Sequence, residues 1–94
     1  MQRLWVRHQV KDYATWRAVF DADAADRKKM GLHNGTIMHV QGDPNDLVII
    51  FEVDDAEKMM AFMDESRARA TAEKAGVIGE PTALVLDLIE GDVS

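Results

Sequence analysis

Apolar residues along the chain recur with two different periods, and the change between them predicts the order of the secondary-structure elements. Alternation, or a short apolar run, marks four segments as strands, at residues 3–10, 35–41, 46–53 and 83–90. Between the first two strands, and again between the last two, the apolar residues follow the period of a helix. The predicted order is therefore strand, helix, strand, strand, helix, strand.

The first predicted helix lies in DYATWRAVFDADAADRKKMG, which covers residues 12–31. Its apolar stripe has helical spacing and consists of Tyr13, Trp16, Phe20 and Ala24. Asp12 is suited to cap the start of this helix. Gly31 is suited to the left-handed conformation that ends a helix.

The second predicted helix lies in DDAEKMMAFMDESRARATAEKAG, which covers residues 54–76. Asp54 followed by Glu57 resembles a capping box, with Asp in place of Ser or Thr. The apolar stripe of this helix consists of Met59, Phe62, Met63, Ser66 and Ala70. Gly76 is expected to end the helix.

Two connections complete the predicted topology. The turn residues of QGDPND, at 41–46, are expected to join the second and third strands as a hairpin. The segment GVIGEPT, at 76–82, is expected to lead into the last strand. The order β-α-β-β-α-β predicts an α+β, ferredoxin-like fold. We expect a four-stranded antiparallel sheet of order 4-1-3-2, with both helices on one face.

Side chains alternate across a strand, so each predicted strand contributes to two faces of the sheet. The nearly apolar set is expected to pack on the helices: Leu4, Val6, His8, Val10, Thr36, Met38, Val40, Leu47, Ile49, Phe51, Val53, Leu84, Leu86 and Leu88. The mixed set consists of Trp5, Arg7, Gln9, Ile37, His39, Gln41, Val48, Ile50, Glu52, Val85, Asp87 and Ile89. An exposed patch with this many large apolar groups is typical of an interface. A second copy of the chain is the simplest cover for it.

Length and composition narrow the class of protein. A chain of 94 residues predicts one domain over residues 1–94, with a core small enough to benefit from a partner subunit. It contains no cysteine, which excludes disulfides and thiolate chemistry. Without a signal-like apolar segment, a cytoplasmic protein that does not span a membrane is expected. The net charge of −6 argues against a nucleic-acid partner.

Several short motifs resemble a known superfamily. They are His8 and Val10 at the end of the first strand, the Asp12, Tyr13 and Trp16 pattern, the DPND segment from Asp43 to Asp46, and the run with Gly76, Val77, Gly79 and Pro81. On these residues the chain resembles the dimeric α+β barrel proteins, which include antibiotic-biosynthesis monooxygenases and small cyclase-like proteins. The resemblance covers nearly the whole chain.

The resemblance implies a homodimer in which two sheets form a barrel, with a cleft between sheet and helices in each subunit. It implies one of several activities: cofactor-free oxygenation, aromatic cyclisation, lactone isomerisation or haem degradation. The haem-degrading branch is the least similar, because its Asn, His and Trp have no matching positions here. Other members only bind ligands, so the fold does not decide the activity.

One candidate cluster lies on the mixed face. Because the third and fourth strands flank the first, we expect Arg7 to neighbour Glu52 or Asp87. One interpretation is a cross-strand or inter-subunit ion pair. The other is a polar grip on an acidic or phenolic ligand, with His39 as the base.

The other candidate is His8, which lies on the apolar face, near Tyr13 and Trp16 at the start of the first predicted helix. It is either a hydrogen-bonded core residue or a group that transfers protons. His33 is expected in a solvated loop. His33 and His39 lack the further ligands that a metal site needs, so neither a metal nor another cofactor is expected.

Two functional hypotheses follow. The first is a cofactor-independent monooxygenase, cyclase or isomerase that acts on an unidentified aromatic or polyketide-like substrate. His8 or His39 would take a proton, and Arg7 or Trp5 would hold the developing anion or the ring. The expected ligand-binding residues are Trp5, Arg7, Trp16, Glu52 and Asp87. The second hypothesis is a non-catalytic homodimeric ligand-binding or accessory module, which a closed, well-packed cleft beside His8 would favour.

Overall fold

The computed structural model describes residues 2–94, which form one four-stranded antiparallel sheet and four helices. In chain order the elements are β1 (Gln2–Val10), α1 (Tyr13–Ala22), α2 (Ala24–Lys29), β2 (Leu32–Val40), β3 (Asp43–Val53), α3 (Ala56–Phe62), α4 (Glu65–Ala75) and β4 (Val77–Asp87). The strands are ordered β2-β3-β1-β4, which is the predicted order 4-1-3-2 counted from the opposite edge. The α+β, ferredoxin-like fold is thereby confirmed.

Each predicted helix is divided into two shorter ones. The first is interrupted at Asp23, and the second at Met63, whose backbone is extended. Helix α4 begins after Met63 with Asp64 as its N-cap. The Asp64 carboxylate accepts a hydrogen bond from the backbone N–H of Arg67. At Asp23 the side chain makes no capping hydrogen bond, and its backbone N–H donates to carbonyl oxygens of the last turn of α1. No helix within residues 2–94 is long and apolar enough to cross a membrane.

The predicted helix ends are confirmed in three of four cases. Asp12 caps α1, and both Gly31 and Gly76 have the positive φ expected after a helix. The predicted capping box that starts at Asp54 is wrong. Asp54 still belongs to the strand edge, since its N–H donates to the carbonyl of Gly31, and Asp55 caps α3 instead.

The strands begin earlier than the sequence pattern predicts. The hairpin between β2 and β3 is confirmed, but its turn is reduced to Gln41 and Gly42, which has φ +90°. The segment 76–82, predicted as a connection, belongs largely to β4, and its pairing with β1 shifts register between Arg7 and Gln9. A β-bulge of this kind admits the turn-forming residues into the strand.

The core lies between the sheet and the helices. Its buried members are Val10, Trp16, Leu32, Leu47, Ile49, Phe51, Val53, Met59 and Ala75. Strand β3 supplies four of them because it is central in the sheet and its alternate residues all face the helices.

The assignment of β2 and β4 to the two sheet faces was wrong. Ile37 pairs with Ile49 on the helix face and Val85 pairs with Leu4 there, whereas Leu84 pairs with Trp5 on the other face. Both edge strands carry apolar residues at consecutive positions, so their pattern does not distinguish the two faces. A shift of one residue reverses every side chain of a strand.

We define the outer face as the side of the sheet turned away from the helices. The pairing places on it Arg3, Trp5, Arg7, Thr36, Met38, Asp46, Val48, Ile50, Glu52, Thr82, Leu84 and Leu86. This face still combines large apolar groups with charged ones, as the sequence predicts, although its members from β2 and β4 are different.

Gly35 allows the ring of Phe51 to approach the backbone of β2. A Cβ atom at Gly35 would lie 2.6 Å from Cε1 and 2.9 Å from Cδ1 of Phe51. We therefore expect Gly35→Ala to lower the free energy of unfolding by about 1–3 kcal/mol through overpacking, measured by denaturant titration. Gly91→Ala is the matched control, because nothing lies within 4 Å of its Cβ position. Equal stability of both variants would contradict this arrangement of Phe51.

Candidate functional site

A cavity of about 500 Å³ lies between the helix face of the sheet and helices α1, α2 and α4. Strands β1 and β3 contribute Val6, His8, Ile49 and Phe51 to its lining, and α1 contributes Trp16 and Phe20. Most of the lining is apolar. A concave apolar site with a small number of polar groups is the usual form of a small-molecule site.

His8 is the polar group in the apolar part of this cavity. Its Nε2 atom is buried and has no hydrogen-bond partner within residues 2–94. Burial lowers the pKa of the imidazole from its ordinary value of 6.5, because the apolar surroundings disfavour the charged form. A buried nitrogen without a partner is costly and needs an explanation. A neutral imidazole has one ring nitrogen that can accept a proton or a hydrogen bond.

A row of aromatic rings extends from His8 along α1. His8 and Trp16 form one end of the row. Their ring centroids are 5.7 Å apart, and the two rings are inclined at 73° in a T-shaped contact. Trp16 stacks on Phe20 at 4.9 Å, and Phe20 stacks on Phe51 at 6.1 Å. The row arises from the helical spacing of Trp16 and Phe20, which places both side chains toward the sheet. It fixes the imidazole between strand and helix.

Charged side chains surround the other part of the cavity. They are Asp23, Asp26, Arg27, Lys29, Asp64 and Arg67. Arg67 of α4 forms an ion pair with Asp26 of α2, which connects the two helices across the cavity. Burial raises the pKa of Asp23, and a hydrogen bond with Asp26 raises it further. The cavity is therefore apolar at His8 and charged where α2 faces α4.

Arg7 lies on the outer face and not in the cavity. It forms two hydrogen bonds with Asp46, from Nε to Oδ1 at 3.1 Å and from Nη2 to Oδ2 at 2.9 Å. These hydrogen bonds hold the pKa of Asp46 below its ordinary value despite the burial of that residue. The predicted pairing of Arg7 with Glu52 or Asp87 is wrong.

The register of the sheet explains this correction. Arg7 is opposite Val48 on one side and Thr82 on the other, so the partner within reach is Asp46, diagonally across β3. Asp46 was expected where the hairpin turn meets the third strand, as the last residue of the segment 41–46 and the first of the strand 46–53. Since β3 begins at Asp43, Asp46 occupies a strand position on the outer face. The sequence signal was the DPND segment itself, all four residues of which belong to β3.

The remaining members of the predicted polar cluster are separated from Arg7. Glu52 is opposite Arg3 and His33, and accepts a hydrogen bond from the side chain of Asn34. Asp87 is the last residue of the edge strand β4 and lies opposite Gln2. It accepts a hydrogen bond from the side chain of Gln2 at 3.1 Å. The four residues of the predicted cluster do not converge on one site.

The other two histidines also lie outside the cavity lining. His39 is exposed on β2, with Nδ1 3.0 Å from the carbonyl oxygen of Val40. His33 belongs to β2 rather than to the expected loop, and its Nε2 is 2.6 Å from Oδ1 of Asp54. Within residues 2–94, no three His, Cys, Asp or Glu side chains are grouped as metal ligands.

The structure thus brings together two of the candidate residues, His8 and Trp16. Trp5 is opposite Ile50 and Leu84 on the outer face, so the sheet separates it from the cavity. Sequence reasoning did not identify Arg27 or Arg67 as residues of the cavity lining. Both arginines are far from His8 in the sequence, so no local pattern connects them with it. Only the packing of the helices brings the three residues to the same cavity.

Comparison with solved structures identifies proteins of the same architecture. SnoaB, described as a cofactor-independent oxygenase from Streptomyces nogalater, is 18% identical with a TM-score of 0.72, over 95% of this chain and 93% of that one. The monooxygenase from the ActVA-Orf6 gene of Streptomyces coelicolor, in complex with nanaomycin D, is 16% identical with a TM-score of 0.67, over 99% of this chain and 91% of that one.

A third structure, described as an antibiotic biosynthesis monooxygenase, is 14% identical with a TM-score of 0.68, over 96% of this chain and 100% of that one. No protein-family model and no curated protein matches the sequence. At these identities the comparison concerns the fold. The chain has the ferredoxin-like fold of the antibiotic biosynthesis monooxygenase structures over nearly its whole length, as the resemblance implied.

Proposed function

We propose that the chain binds a small aromatic or polyketide-like molecule in the His8 cavity and acts on it as a cofactor-independent monooxygenase or cyclase-like enzyme. One observation carries this proposal: His8, whose Nε2 is buried without a hydrogen-bond partner within residues 2–94, lines an open, largely apolar cavity. The solved structures support it, since one is described as a cofactor-independent oxygenase and another contains nanaomycin D.

His8 is the base in this proposal. Oxygenation, cyclisation and isomerisation of an aromatic polyketide can all begin with the loss of an acidic proton, and a neutral imidazole can accept it. In the oxygenase case a ring methylene transfers its proton to Nε2, and the carbanion reduces O₂. One oxygen atom remains as a carbonyl, and the other leaves as water with the remaining hydrogens.

The competing hypothesis, a non-catalytic module, shares the cavity but not the chemistry. A closed, well-packed cleft beside His8 would have favoured an accessory role, whereas the cleft has a volume of about 500 Å³. This space supports ligand binding. Whether His8 is a base or only a hydrogen-bond acceptor is then decided by turnover.

We also propose that the outer face pairs with a second copy of the chain. Leu84 and Leu86 on this face are 50% and 42% exposed, and Met38 is 42% exposed. Adjacent apolar groups of this size are costly to leave in water. The Arg7 and Asp46 pair lies on the same face with its charges already matched, so it can be covered without an unpaired charge.

The role of His8 is testable with anthrone, an aromatic compound with an acidic ring methylene. We expect the protein to accelerate O₂ consumption by anthrone, and His8→Gln to reduce this rate about 100-fold or more because the proton acceptor is lost. Binding of anthraquinone, measured by tryptophan fluorescence, should persist in the variant. An oxygen electrode gives the rates.

The parallel variant His39→Gln tests the other histidine that the sequence offers. It should retain the rate, since His39 is exposed on β2 outside the cavity lining. Loss of activity in His39→Gln alone would refute the role of His8. Binding of anthraquinone without any His8-dependent turnover would favour the non-catalytic module.

The neutral state of His8 has a consequence for stability. Its pKa is lower in the folded chain than the ordinary 6.5, so below about pH 6.5 the unfolded state binds more protons than the folded state. The free energy of unfolding should therefore decrease as pH falls from 6.5 towards the folded pKa, and this part of the decrease should be absent in His8→Leu. Denaturant titrations at several pH values measure it. Parallel curves for the two proteins would contradict a buried, neutral His8.

The dimer is testable by size-exclusion chromatography with light scattering. We expect the wild type at micromolar concentration to have twice the chain mass of 10.5 kDa. Leu84→Lys should produce monomers, because it places a charge in the interface. Met60→Lys is the matched control, since Met60 is 58% exposed but lies on α3. A monomeric wild type would refute the proposed dimer.

A further inference from the structure

We infer that Arg27 makes the His8 cavity selective for aromatic ligands that carry a carboxylate. The inference rests on the proposed function only in taking this cavity as the ligand site. It concerns the class of ligand, whereas the role of His8 as a base is a separate matter.

Arg27 is held in a defined orientation on the cavity lining. Its guanidinium carbon lies 3.6 Å from the ring centroid of Phe20, which is a close cation–π contact. Its Nη1 donates a hydrogen bond to the carbonyl oxygen of Phe20 in the last turn of α1. Two contacts with one residue restrict the side chain, so little further ordering is needed when an anion binds.

Of the two arginines on the cavity lining, Arg67 has a carboxylate partner and Arg27 has none within residues 2–94. Within residues 2–94, carboxylates lie within 4.0 Å of Arg7, Arg17 and Arg67, but none lies within that distance of Arg27. Arg27 is half-buried, and desolvation is the main cause that lowers its pKa. A guanidinium has five N–H donors, and the Phe20 carbonyl uses one of them.

The neighbouring charges leave the guanidinium with an incomplete counter-charge. Asp23 and Asp21 attract it at longer range, and Arg17 repels it. Of the acidic residues on the cavity lining, Asp26 is paired with Arg67 and Asp64 caps α4. A ligand carboxylate would supply the planar, two-oxygen partner that matches the guanidinium.

The aromatic row connects Arg27 with His8. Phe20 contacts the guanidinium, Trp16 stacks on Phe20, and His8 meets the edge of Trp16, and all four residues line the same cavity. A flat ligand that extends along this row has one end at the His8 ring and the other at Arg27. The separation of the two polar groups by apolar surface favours a ring system with an acidic hydrogen at one end and a carboxylate at the other.

Arg17 provides a matched control that also lies near Phe20. Its guanidinium carbon is 5.4 Å from the same ring, but it is paired with Asp21 at 3.3 Å. Arg17 borders a smaller hollow of about 310 Å³ that Arg27 and Phe20 also border, and it does not line the His8 cavity. A variant at Arg17 therefore removes a similar charge without changing the proposed site.

The experiment compares two probes that differ in one charged group, anthraquinone carboxylate and anthraquinone carboxamide. Dissociation constants are measured by isothermal titration calorimetry. We expect the wild type to bind the carboxylate about ten-fold more tightly or better, because a desolvated, charge-assisted pair is stronger than a neutral hydrogen bond. Arg27→Gln should abolish the preference by weakening carboxylate binding much more than carboxamide binding, whereas Arg17→Gln should retain the preference.

Each other outcome has a defined meaning. Equal wild-type affinities for the two probes would overturn the inference and leave the cavity as the ligand site of the proposed function. Loss of the preference in Arg17→Gln would place the anion in the smaller hollow and overturn the inference. Binding of neither probe would refute the ligand site itself. If Arg27→Gln fails to fold, Arg27→Lys replaces it, and its weaker, single-point contact should reduce the preference.

Discussion

The pairing of β1 with β3 is the constraint on which the site and the interface both depend. Val6 is opposite Ile49, Arg7 is opposite Val48, and His8 is opposite Leu47. Because consecutive side chains point to opposite faces, this register sends His8 towards the helices and Arg7 away from them. A shift of one residue would bury the guanidinium and expose the imidazole, so the apolar face of β3 selects the register. The polar run Arg7, His8 and Gln9 is thus divided between two environments.

His8 combines a cost in stability with a capacity for chemistry. A buried ring nitrogen without a partner is unfavourable. The aromatic contact with Trp16 and the surrounding apolar residues hold the imidazole in place without satisfying it. The same desolvation keeps the ring neutral, which is the state that a general base requires at neutral pH. Arg27 and Arg67 lie in the charged part of the cavity, where α2 faces α4. His8 and the two arginines therefore occupy different parts of one site.

The fold was predictable because each central element carries a strong pattern. Strand β3 carries a continuous apolar run from Leu47 to Phe51, the hairpin has turn residues, and Asp12 and Gly76 mark helix ends. The edge strands were not assigned correctly, since β4 carries apolar residues at both parities and β2 contains a register shift near Gly35. The Arg7 and Asp46 pair was missed for a different reason, which concerns the central strand β3. Its formation depends on where β3 begins, and the DPND segment is compatible with both turn and strand.

By itself the sequence determined the order of the elements, the sheet topology, and the position of His8 on the helix-facing side of β1. These properties follow from local periodicity and from caps, which act over a few residues. Only the tertiary structure decided that the cleft beside His8 is open and that Asp46 is the partner of Arg7. It also decided that Arg27 lies on the cavity lining without a carboxylate. Those features depend on the packing of α1, α2 and α4 over the sheet, which brings together residues with no relation along the chain.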